Sequence, residues 1–258
     1  MSNPSITDWK RRRVWILGAS SGIGAALASE LAARGALVAI SARSQDKLDE
    51  LAATMPGAIA LPCDAADADQ ISVAHAELLA RWGGIDLAIY AAGVWHPVTA
   101  MELRRDRIDA TLDINLRGAM YFAATVVPGL ITQGTGAIAF IGSVAGYRAL
   151  PRALLYGSSK AALAYFAATL HLELAPAGIG VHLVSPGFVE TPMTAQNDFP
   201  MPAIMTVDTA VGEIVAGLEG GAFEIHFPKR LSRPLRWARL LPDRWYFPLV
   251  RRLTAGSP

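Results

Sequence analysis

The chain has 258 residues and a net charge of +1, from 23 basic and 22 acidic side chains. Hydrophobic residues make up 52% of it and charged residues 17%, which excludes a disordered polymer and is enough for a substantial core. The single cysteine, Cys63, excludes an internal disulfide, and the Cys and His residues are not grouped as zinc ligands are. No apolar run approaches the roughly 18 residues of a membrane span, and the polar, basic start is unlike a signal peptide. We therefore expect a cytoplasmic protein.

Short apolar runs alternate along the chain with amphipathic stretches, the pattern of βαβ units and a parallel sheet. The predicted strands are residues 14–17, 36–41, 58–61, 85–90, 137–141 and 180–184. The predicted helices are residues 22–34, 45–54, 67–82, 103–127 and 158–175, the fourth ending before Pro128. No repeat or linker divides the chain, so we expect a single domain.

A glycine-rich turn follows the first predicted strand, in the sequence Gly18-Ala19-Ser20-Ser21-Gly22-Ile23-Gly24. Such a turn lets the backbone approach a pyrophosphate, and the following helix N-terminus offers unpaired N–H groups and partial positive charge. The spacing is G-x-x-x-G-x-G rather than the commoner G-x-G-x-x-G. Between a strand and a helix, it predicts a dinucleotide site rather than merely a tight turn. The expected contacts are Gly18, Ser20, Ser21, Gly22, Ile23 and Gly24.

The end of the second strand indicates which dinucleotide is bound. An acidic residue there would hold the ribose 2′-hydroxyl of NAD, but the chain reads Ser41-Ala42-Arg43-Ser44. Arg43 offers a guanidinium to a 2′-phosphate, which favours NADP(H), although it could also be a solvated surface arginine. Asp64, after the third strand, could accept a hydrogen bond from the adenine amino group or cap the following turn.

Tyr156 and Lys160 are four residues apart, so on a helix they share one face. A free tyrosine has a pKa near ~10, and a fixed positive charge lowers it. A shift of about 3 units requires roughly 4 kcal/mol, which one lysine and a cationic cofactor ring could supply. The pair therefore predicts a tyrosine that works as an acid or base.

Together these residues resemble the short-chain dehydrogenase/reductase family over residues 12–193, with a weaker match at a further strand, 225–228. The motifs that carry the resemblance are the glycine turn, Asn115, Ser143, the run from Tyr156 to Lys160, and Pro186-Gly187 leading to Thr191. Two positions depart from the family pattern. Leu17 stands where threonine is usual, and Tyr90-Ala91-Ala92-Gly93 replaces Asn-Asn-Ala-Gly.

The resemblance implies an α/β fold, a single-domain doubly wound Rossmann fold with a mostly parallel seven-stranded sheet and helices on both faces. Residues 1–228 would be its NADP-binding catalytic part, and residues 229–258 a basic, aromatic extension of the same domain. The implied reaction is hydride transfer between a nicotinamide and a carbonyl or alcohol carbon.

The resemblance also assigns roles to individual residues. Tyr156 would protonate the forming alkoxide and Ser143 would polarise the same oxygen. Lys160 would lower the pKa of Tyr156 and bind the nicotinamide ribose, while Asn115 would hold a water that joins Lys160 to solvent. Further cofactor contacts are expected from Ala92, Gly93, Pro186, Gly187, Val189 and Thr191.

The segments expected to wall the substrate pocket are residues 94–98, 144–150 and 188–205. Arg148 and Arg152 are their charged exceptions. An apolar lining suits an apolar, lipid-like carbonyl or alcohol, unless several of these side chains are ordinary core. The apolar members are Trp95, Tyr147, Leu150, Phe188, Met193, Phe199, Met201 and Met205.

The tail from Lys229 onward has eight basic residues and one acidic residue, Asp243, so it carries +7 and the rest of the chain −6. Arginines alternate with aromatic and aliphatic residues, and Pro234, Pro242 and Pro248 are expected to divide it into short helices. This composition is typical of an interfacial membrane anchor, and a cover for the substrate loop or a partner subunit is the alternative. No nucleic-acid-binding motif is recognised.

We thus expect an NADP(H)-dependent oxidoreductase, a dimer or tetramer of this chain. Two other functions stay open. One is an NAD-linked alcohol dehydrogenase, and the other is an NADP(H)-binding sensor or scaffold without turnover. The complete set of Asn115, Ser143, Tyr156 and Lys160 argues against a sensor, which would not need it.

Overall fold

A seven-stranded parallel sheet forms the centre of the computed structural model, which describes residues 3–254. The strand order is β3-β2-β1-β4-β5-β6-β7, and it reverses between β1 and β4. In such sheets a crevice opens beyond the carboxyl ends of the strands at the reversal. The strands are β1 (Arg13–Leu17), β2 (Leu37–Ala42), β3 (Ile59–Pro62), β4 (Leu87–Tyr90), β5 (Ala137–Ile141), β6 (Gly180–Pro186) and β7 (Glu224–Phe227).

Helices cover both faces of the sheet, as the fold prediction requires. The helices are α1 (Gly22–Ala33), α2 (Gln45–Ala53), α3 (Ala68–Trp82), α4 (Arg105–Leu112), α5 (Gly118–Gln133), α6 (Leu154–Leu174), α7 (Val207–Glu219), α8 (Lys229–Ala238) and α9 (Asp243–Thr254). The apolar residues of α1, α2 and α7 pack in one core layer, and those of α3, α5 and α6 in the other. The doubly wound Rossmann fold is confirmed.

Strand β1 shows why the strands read as continuous apolar runs. Val14 and Ile16 belong to one core layer, and Trp15 and Leu17 to the other. Successive side chains of a strand point to opposite faces, and here both faces are covered by helices. All four side chains are fully buried.

Two predicted helix boundaries are wrong. Helix α5 continues through Pro128 to Gln133, because Leu130 is buried in the core and the Gln133 amide bonds the backbone of Ile85 in both directions, at 3.0 and 2.9 Å. These contacts offset the hydrogen bond that proline removes. Helix α6 begins at Leu154 rather than at residue 158, so Tyr156 lies inside its first turn.

The segment Arg105–Gln133 is, within residues 3–254, the one helical stretch with the length and apolar composition of a membrane span. This differs from the expectation that no run approaches that length. Phe122, Val126 and Leu130 of this segment are buried against the sheet. Packing in the core therefore accounts for its apolar character.

The tail forms two helices, α8 and α9, that are separated at Pro242. The prediction that Pro234 and Pro248 also divide it is wrong, since both lie inside helices. Both prolines are exposed. A carbonyl left without its helical partner at an exposed position can be hydrated by solvent, which reduces the cost of the missing bond.

Candidate active site

A cavity of about 380 Å³ opens at the carboxyl ends of the strands around the reversal between β1 and β4. The structure brings every predicted cofactor-binding residue to its wall. Asn115 is buried behind the wall. The predicted residues on the wall are Gly18, Ser20, Ser21, Gly22, Ile23, Gly24, Arg43, Asp64, Ala92, Gly93, Ser143, Tyr156, Lys160, Pro186, Gly187, Val189 and Thr191.

The glycine-rich turn has the shape that a dinucleotide needs. Gly18 has a φ of +100°, and a Cβ there would lie well inside van der Waals contact with the backbone of Ala92. A Cβ at Gly24 would meet the carbonyl of Gly18 in the same way. Ser21, the N-cap of α1, makes no capping hydrogen bond with its side chain in the described structure. The first-turn N–H groups of α1 therefore remain available to a phosphate.

Two basic side chains lie at the β2 end of the cavity. Arg43 and Lys47 are both exposed, and neither has a hydrogen bond or ion pair with another residue in 3–254. Lys47 was not singled out from the sequence. Its place in the first turn of α2 was the available signal, because a cation there opposes the helix dipole unless an anion is near.

Asp64 lines the same end of the cavity, and its Oδ1 accepts a hydrogen bond of 2.9 Å from the backbone N–H of Ala66. The carboxylate thus caps the turn after β3, which was one of its two expected roles. Its other oxygen accepts no hydrogen bond from another residue in 3–254, so the turn cap and an adenine contact are compatible.

Tyr156 and Lys160 lie one turn apart on α6, as the spacing predicted. Lys160 is 3% exposed and its Nζ lies 5.7 Å from the centre of the Tyr156 ring. The same Nζ donates a hydrogen bond of 2.7 Å to the carbonyl of Ile141, at the end of β5. This bond directs the ammonium towards the cavity wall and leaves two of its three protons for other partners.

The electrostatics of the pair differ from the prediction. Burial raises the pKa of Tyr156, and a hydrogen bond from Ser143 opposes the shift only in part. Burial also lowers the pKa of Lys160, to about 8. Both shifts have one cause, since a low-dielectric surrounding disfavours the phenolate and the ammonium alike. The protein by itself therefore keeps Tyr156 as a neutral phenol at neutral pH, and the predicted lowering by Lys160 is not found.

Ser143 follows β5 and caps the turn after it. Its Oγ accepts from the N–H of Ala145 at 3.1 Å, which caps the short 3-10 turn Val144–Gly146. The Ser143 hydroxyl also lies near enough to Tyr156 to oppose part of the rise in the pKa of that phenol. The cap fixes the position of the hydroxyl on the cavity wall, and the expected role of Ser143 in polarising a substrate oxygen stays a prediction.

Asn115 lies in a π-helical turn, Asp113–Arg117, between α4 and α5. Its amide accepts from the N–H of Val94 at 2.8 Å and donates to the Val94 carbonyl at 3.0 Å and to Ser159 Oγ at 3.1 Å. The side chain thus ties the loop after β4 to helix α6 behind the catalytic pair. Such π-turns often mark functional sites, and their wider backbone spacing re-aims a side chain.

Tyr90 supports this turn and was not recognised from the sequence as doing so. Its hydroxyl donates a hydrogen bond of 2.5 Å to the carbonyl of Ile114, and its ring packs on Phe122 at 5.6 Å between centroids. The residue is fully buried, and burial raises the pKa of its phenol. The tyrosine that replaces the family's asparagine therefore braces the turn that carries Asn115.

Two segments close over Tyr156 on the substrate side. The ring of Trp95 meets that of Tyr156 edge-on, with centroids 5.0 Å apart, and its Nε1 donates to Asn197 Oδ1 at 2.8 Å. Arg152 forms an ion pair of 2.7 Å with Asp198. The first contact holds the loop before α7 against the loop after β4, and the second holds it against the segment before α6.

Other residues expected in the substrate wall face elsewhere. The Tyr147 hydroxyl donates to Glu224 at 2.6 Å, and Arg148 binds the tail, so neither lines the cavity. Met205 packs on the core, which agrees with the alternative that some of these side chains are ordinary core residues. Met193 lies on the cavity wall, and Phe188 and Phe199 pack together at 6.1 Å between centroids.

The comparisons with known proteins agree with this site. The family model described as short chain dehydrogenase matches residues 12–200. An uncharacterized oxidoreductase of Myxococcus xanthus is 34% identical over 252 residues, which cover 96% of this chain and all of the relative. Another, of Staphylococcus haemolyticus, is 31% identical over 75% of this chain and 85% of its own. The chain belongs to the short-chain dehydrogenase family of oxidoreductases, whose members bind a nicotinamide cofactor.

Solved structures share the fold over nearly their whole length. A short-chain dehydrogenase from Streptomyces avermitilis superposes with a TM-score of 0.80 at 24% identity, over 96% of this chain and 98% of that one. A 3-ketoacyl-(acyl-carrier-protein) reductase from Brucella melitensis, complexed with NADH, has a TM-score of 0.77 at 23% identity, over 85% and 98%. At these identities the likeness shows the fold.

Proposed function

We propose that this protein is an NADP(H)-dependent oxidoreductase acting on a carbonyl or secondary alcohol of an apolar, lipid-like substrate. The observation that carries the proposal is one cavity with two chemically distinct ends. Ser143, Tyr156 and Lys160 line the end near β5, and the cations of Arg43 and Lys47 line the end near β2. The two ends lie on opposite sides of the strand reversal, as a dinucleotide with a reactive ring at one end requires.

The cofactor, when bound, supplies or accepts the hydride. In the reducing direction the neutral phenol of Tyr156 gives its proton to the substrate oxygen. Ser143, held by its bond from the Ala145 N–H, donates a hydrogen bond to the same oxygen. Lys160 stays bonded to the Ile141 carbonyl and uses its remaining protons on the ribose hydroxyls.

We place Asn115 behind Ser143, Tyr156 and Lys160, in the proton path. The side-chain amide of Asn115 already forms hydrogen bonds with Val94 and Ser159. A water that joins Lys160 to solvent would therefore donate to an oxygen of this turn that can accept a further hydrogen bond. A Cβ placed on Gly93 would lie 3.5 Å from both Asn115 Oδ1 and Lys160 Nζ. This proximity supports a proton path between the two residues.

The preference for NADP(H) over NAD rests on Arg43 and Lys47. Both side chains are exposed on the cavity wall without a partner in residues 3–254, and a 2′-phosphate would pair with both. An apolar substrate is supported by the side chains around Tyr156, where Trp95 and Met193 carry no charge.

The Tyr156→Phe variant tests catalysis against cofactor sensing. Loss of the hydroxyl removes the proton donor but leaves the ring that packs on Trp95. We expect NADPH-dependent reduction of apolar ketones to fall by about 10²-fold or more, while NADPH binding is retained. Turnover that survives the substitution would overturn the proposed mechanism, and the absence of turnover in the unaltered protein would favour a sensor.

We also propose that the enzyme is a homo-oligomer, a dimer or tetramer, in the cytoplasm. Helix α6 supports the assembly, because Ala161, Tyr165 and Leu172 form an exposed, uncharged stripe on one face. Tyr165 and Leu172 are more than two-thirds exposed, which is costly for large apolar groups on a monomer. Light scattering of the Tyr165→Glu variant would show a smaller particle if this stripe is the interface.

A further inference from the structure

We propose that helices α8 and α9 form a docking surface for an anionic lipid bilayer. The surface consists of the exposed apolar residues of α8, of α9 and of the link between them, together with the arginines of the same segment, and we term it the tail surface. Its apolar members are Trp237, Leu240, Trp245, Phe247, Leu249 and Leu253.

The tail surface concentrates exposed apolar side chains. Six of the 16 large apolar residues that are exposed in residues 3–254 lie in this short segment. Trp237 is 71% exposed, Leu240 74% and Trp245 58%. Single exposed apolar residues are ordinary, but a concentration of them in one short segment indicates an interaction surface.

The tail surface is attached to the body through Tyr246 and Arg148. Tyr246 is 2% exposed, its hydroxyl donates to the Ala149 carbonyl at 2.6 Å, and the guanidinium of Arg148 stacks on its ring at 3.8 Å. Arg148 also donates to the carbonyls of Ala238 and Leu241. These bonds fix Tyr246 against the body, while Trp245 and Phe247 on the two flanks of α9 stay 58% and 51% exposed.

The beginning of the tail is fixed by a second group of bonds. Ser232 Oγ lies 2.7 Å from His226 Nδ1, and Arg236 lies 2.9 Å from the other ring nitrogen of the same histidine. Arg236 also pairs with Glu224 at 3.4 Å. Helix α8 is thereby attached to β7, and Trp237 projects from its outer side.

The charges of the tail surface select the partner. The one acidic residue of the tail, Asp243, is neutralised by Arg148 at 2.6 Å. Arg239, Arg244, Arg251 and Arg252 form no ion pair with any residue in the described range. The surface therefore combines unpaired positive charge with aromatic and aliphatic groups, the composition that binds anionic headgroups and inserts shallowly among acyl chains.

A second copy of the chain fits this surface less well. An isologous contact places the same patch on both partners, so it would bring two sets of unpaired arginines together. A bilayer instead offers phosphate and carboxylate groups to every arginine, while the long side chains extend to the headgroup level. The charge pattern thus favours the membrane.

The location of the tail surface gives docking a functional meaning that rests on the proposed function. Tyr246 and Arg148 join α9 to the loop that leads from Ser143 to Tyr156. A protein bound through α9 would hold that loop next to the bilayer. An apolar substrate could then pass from the lipid to the cavity without crossing water.

Flotation of the full-length protein with vesicles tests docking independently of any activity. We expect it to float with vesicles of equimolar phosphatidylcholine and phosphatidylserine, to stay in solution with phosphatidylcholine alone, and to be released by salt. The Trp245→Ser/Phe247→Ser and Arg251→Glu/Arg252→Glu variants should each lower partitioning about tenfold or more. All four side chains are exposed, so the thermal unfolding midpoint should not change.

Matched controls are available elsewhere on the surface. Val73 is an exposed apolar residue on α3, and Arg104 and Arg105 are exposed at the start of α4. Val73→Ser and Arg104→Glu/Arg105→Glu should leave vesicle binding unchanged. The proposal is overturned if the unaltered protein does not float, or if the tail variants and controls bind alike. It is also overturned if the tail variants change only the particle mass in light scattering, which would identify a protein partner.

Discussion

At the scale of single residues, burial raises the pKa of Tyr156 and lowers the pKa of Lys160. The phenol keeps its proton to a higher pH than usual, and the ammonium loses its proton near pH 8. Since the phenol is the acid form that reduction needs, the protein is prepared for proton donation. The charge of Lys160 is present only below its lowered pKa.

The rate of reduction should therefore depend on pH through Lys160. Lys160 is fully protonated well below pH 8 and loses its charge as the pH rises through about 8. Loss of the charge weakens its contact with the cofactor ribose. We expect kcat/KM for NADPH to decline across that value in a pH profile. A profile that stays flat up to the titration of an ordinary tyrosine, near ~10, would contradict this assignment.

Tyr90 gives a second test at this scale. Tyr90→Phe removes the part-buried hydrogen bond to the Ile114 carbonyl and leaves the rest of the ring in place, which should cost about 0.5–1.5 kcal/mol in the free energy of unfolding. Denaturant unfolding measures this cost. Thr132→Val, which removes an exposed hydroxyl bonded to the Pro128 carbonyl, is the control and should be close to neutral. Equal effects of the two substitutions would show that the Tyr90 bond does not stabilise the turn.

At the scale of elements, the loops that follow β1 and β4 are in close backbone contact. Gly18 in one loop lies against the backbone of Ala92 in the other, and the contact leaves no room for a side chain. Because backbone rather than a flexible side chain is the obstacle, the loops would have to separate to admit one. The cofactor cavity passes between these loops.

Gly18→Ala should therefore reduce both stability and cofactor binding. Gly57 provides a matched control, since its φ of +83° is similar but nothing lies within 4 Å of an added Cβ. Gly57→Ala should cost about 1–2 kcal/mol from backbone strain alone and leave NADPH binding intact. If both variants bind NADPH like the unaltered protein, the contact with Ala92 does not shape the cofactor site.

The predictability of each element follows from where its stabilising contacts lie. The strands were located to within a few residues because their apolar runs are bounded by glycines and polar residues in the sequence itself. The start of α6 was missed because its N-cap, Ala153, has no capping side chain. The passage of α5 through Pro128 depends on Gln133 reaching Ile85, 48 residues earlier, which no local pattern reveals.

The residues of the candidate site differ in the same way in how far they could be predicted from local sequence. Tyr156, Lys160 and the glycine turn were found because their function depends on short spacings within one helix or one turn. Tyr147 was assigned to the pocket by its position in the chain, but its partner, Glu224, lies 77 residues away. The pKa of Tyr156 was predicted from its neighbour's charge, whereas the degree of burial, which decides it, depends on the whole fold.

At the scale of the whole molecule, the reversal of strand order brings residues from distant parts of the chain to one crevice. Arg43 and Lys47 follow β2, while Ser143 follows β5, and both groups line the same cavity. The tail adds a positive, apolar surface on the side of the loop after β5. The division expected at residue 228, between a catalytic part and an extension of the same domain, stays a prediction. Helices α8 and α9 contact the body through buried side chains, among them Ser232 and Tyr246.

The central claim is most directly tested by equilibrium binding of NADPH and NADH, measured side by side on the unaltered protein and on Arg43→Ala and Lys47→Ala variants. Each charged contact to a 2′-phosphate is worth about 1.5–3 kcal/mol, so each variant should bind NADPH about 10- to 150-fold more weakly. NADH binding should be unchanged, and Arg104→Ala, away from the cavity, should alter neither. Equal binding of the two cofactors by the unaltered protein, or a preference for NADH, would contradict the account and make an NAD-linked alcohol dehydrogenase the better assignment.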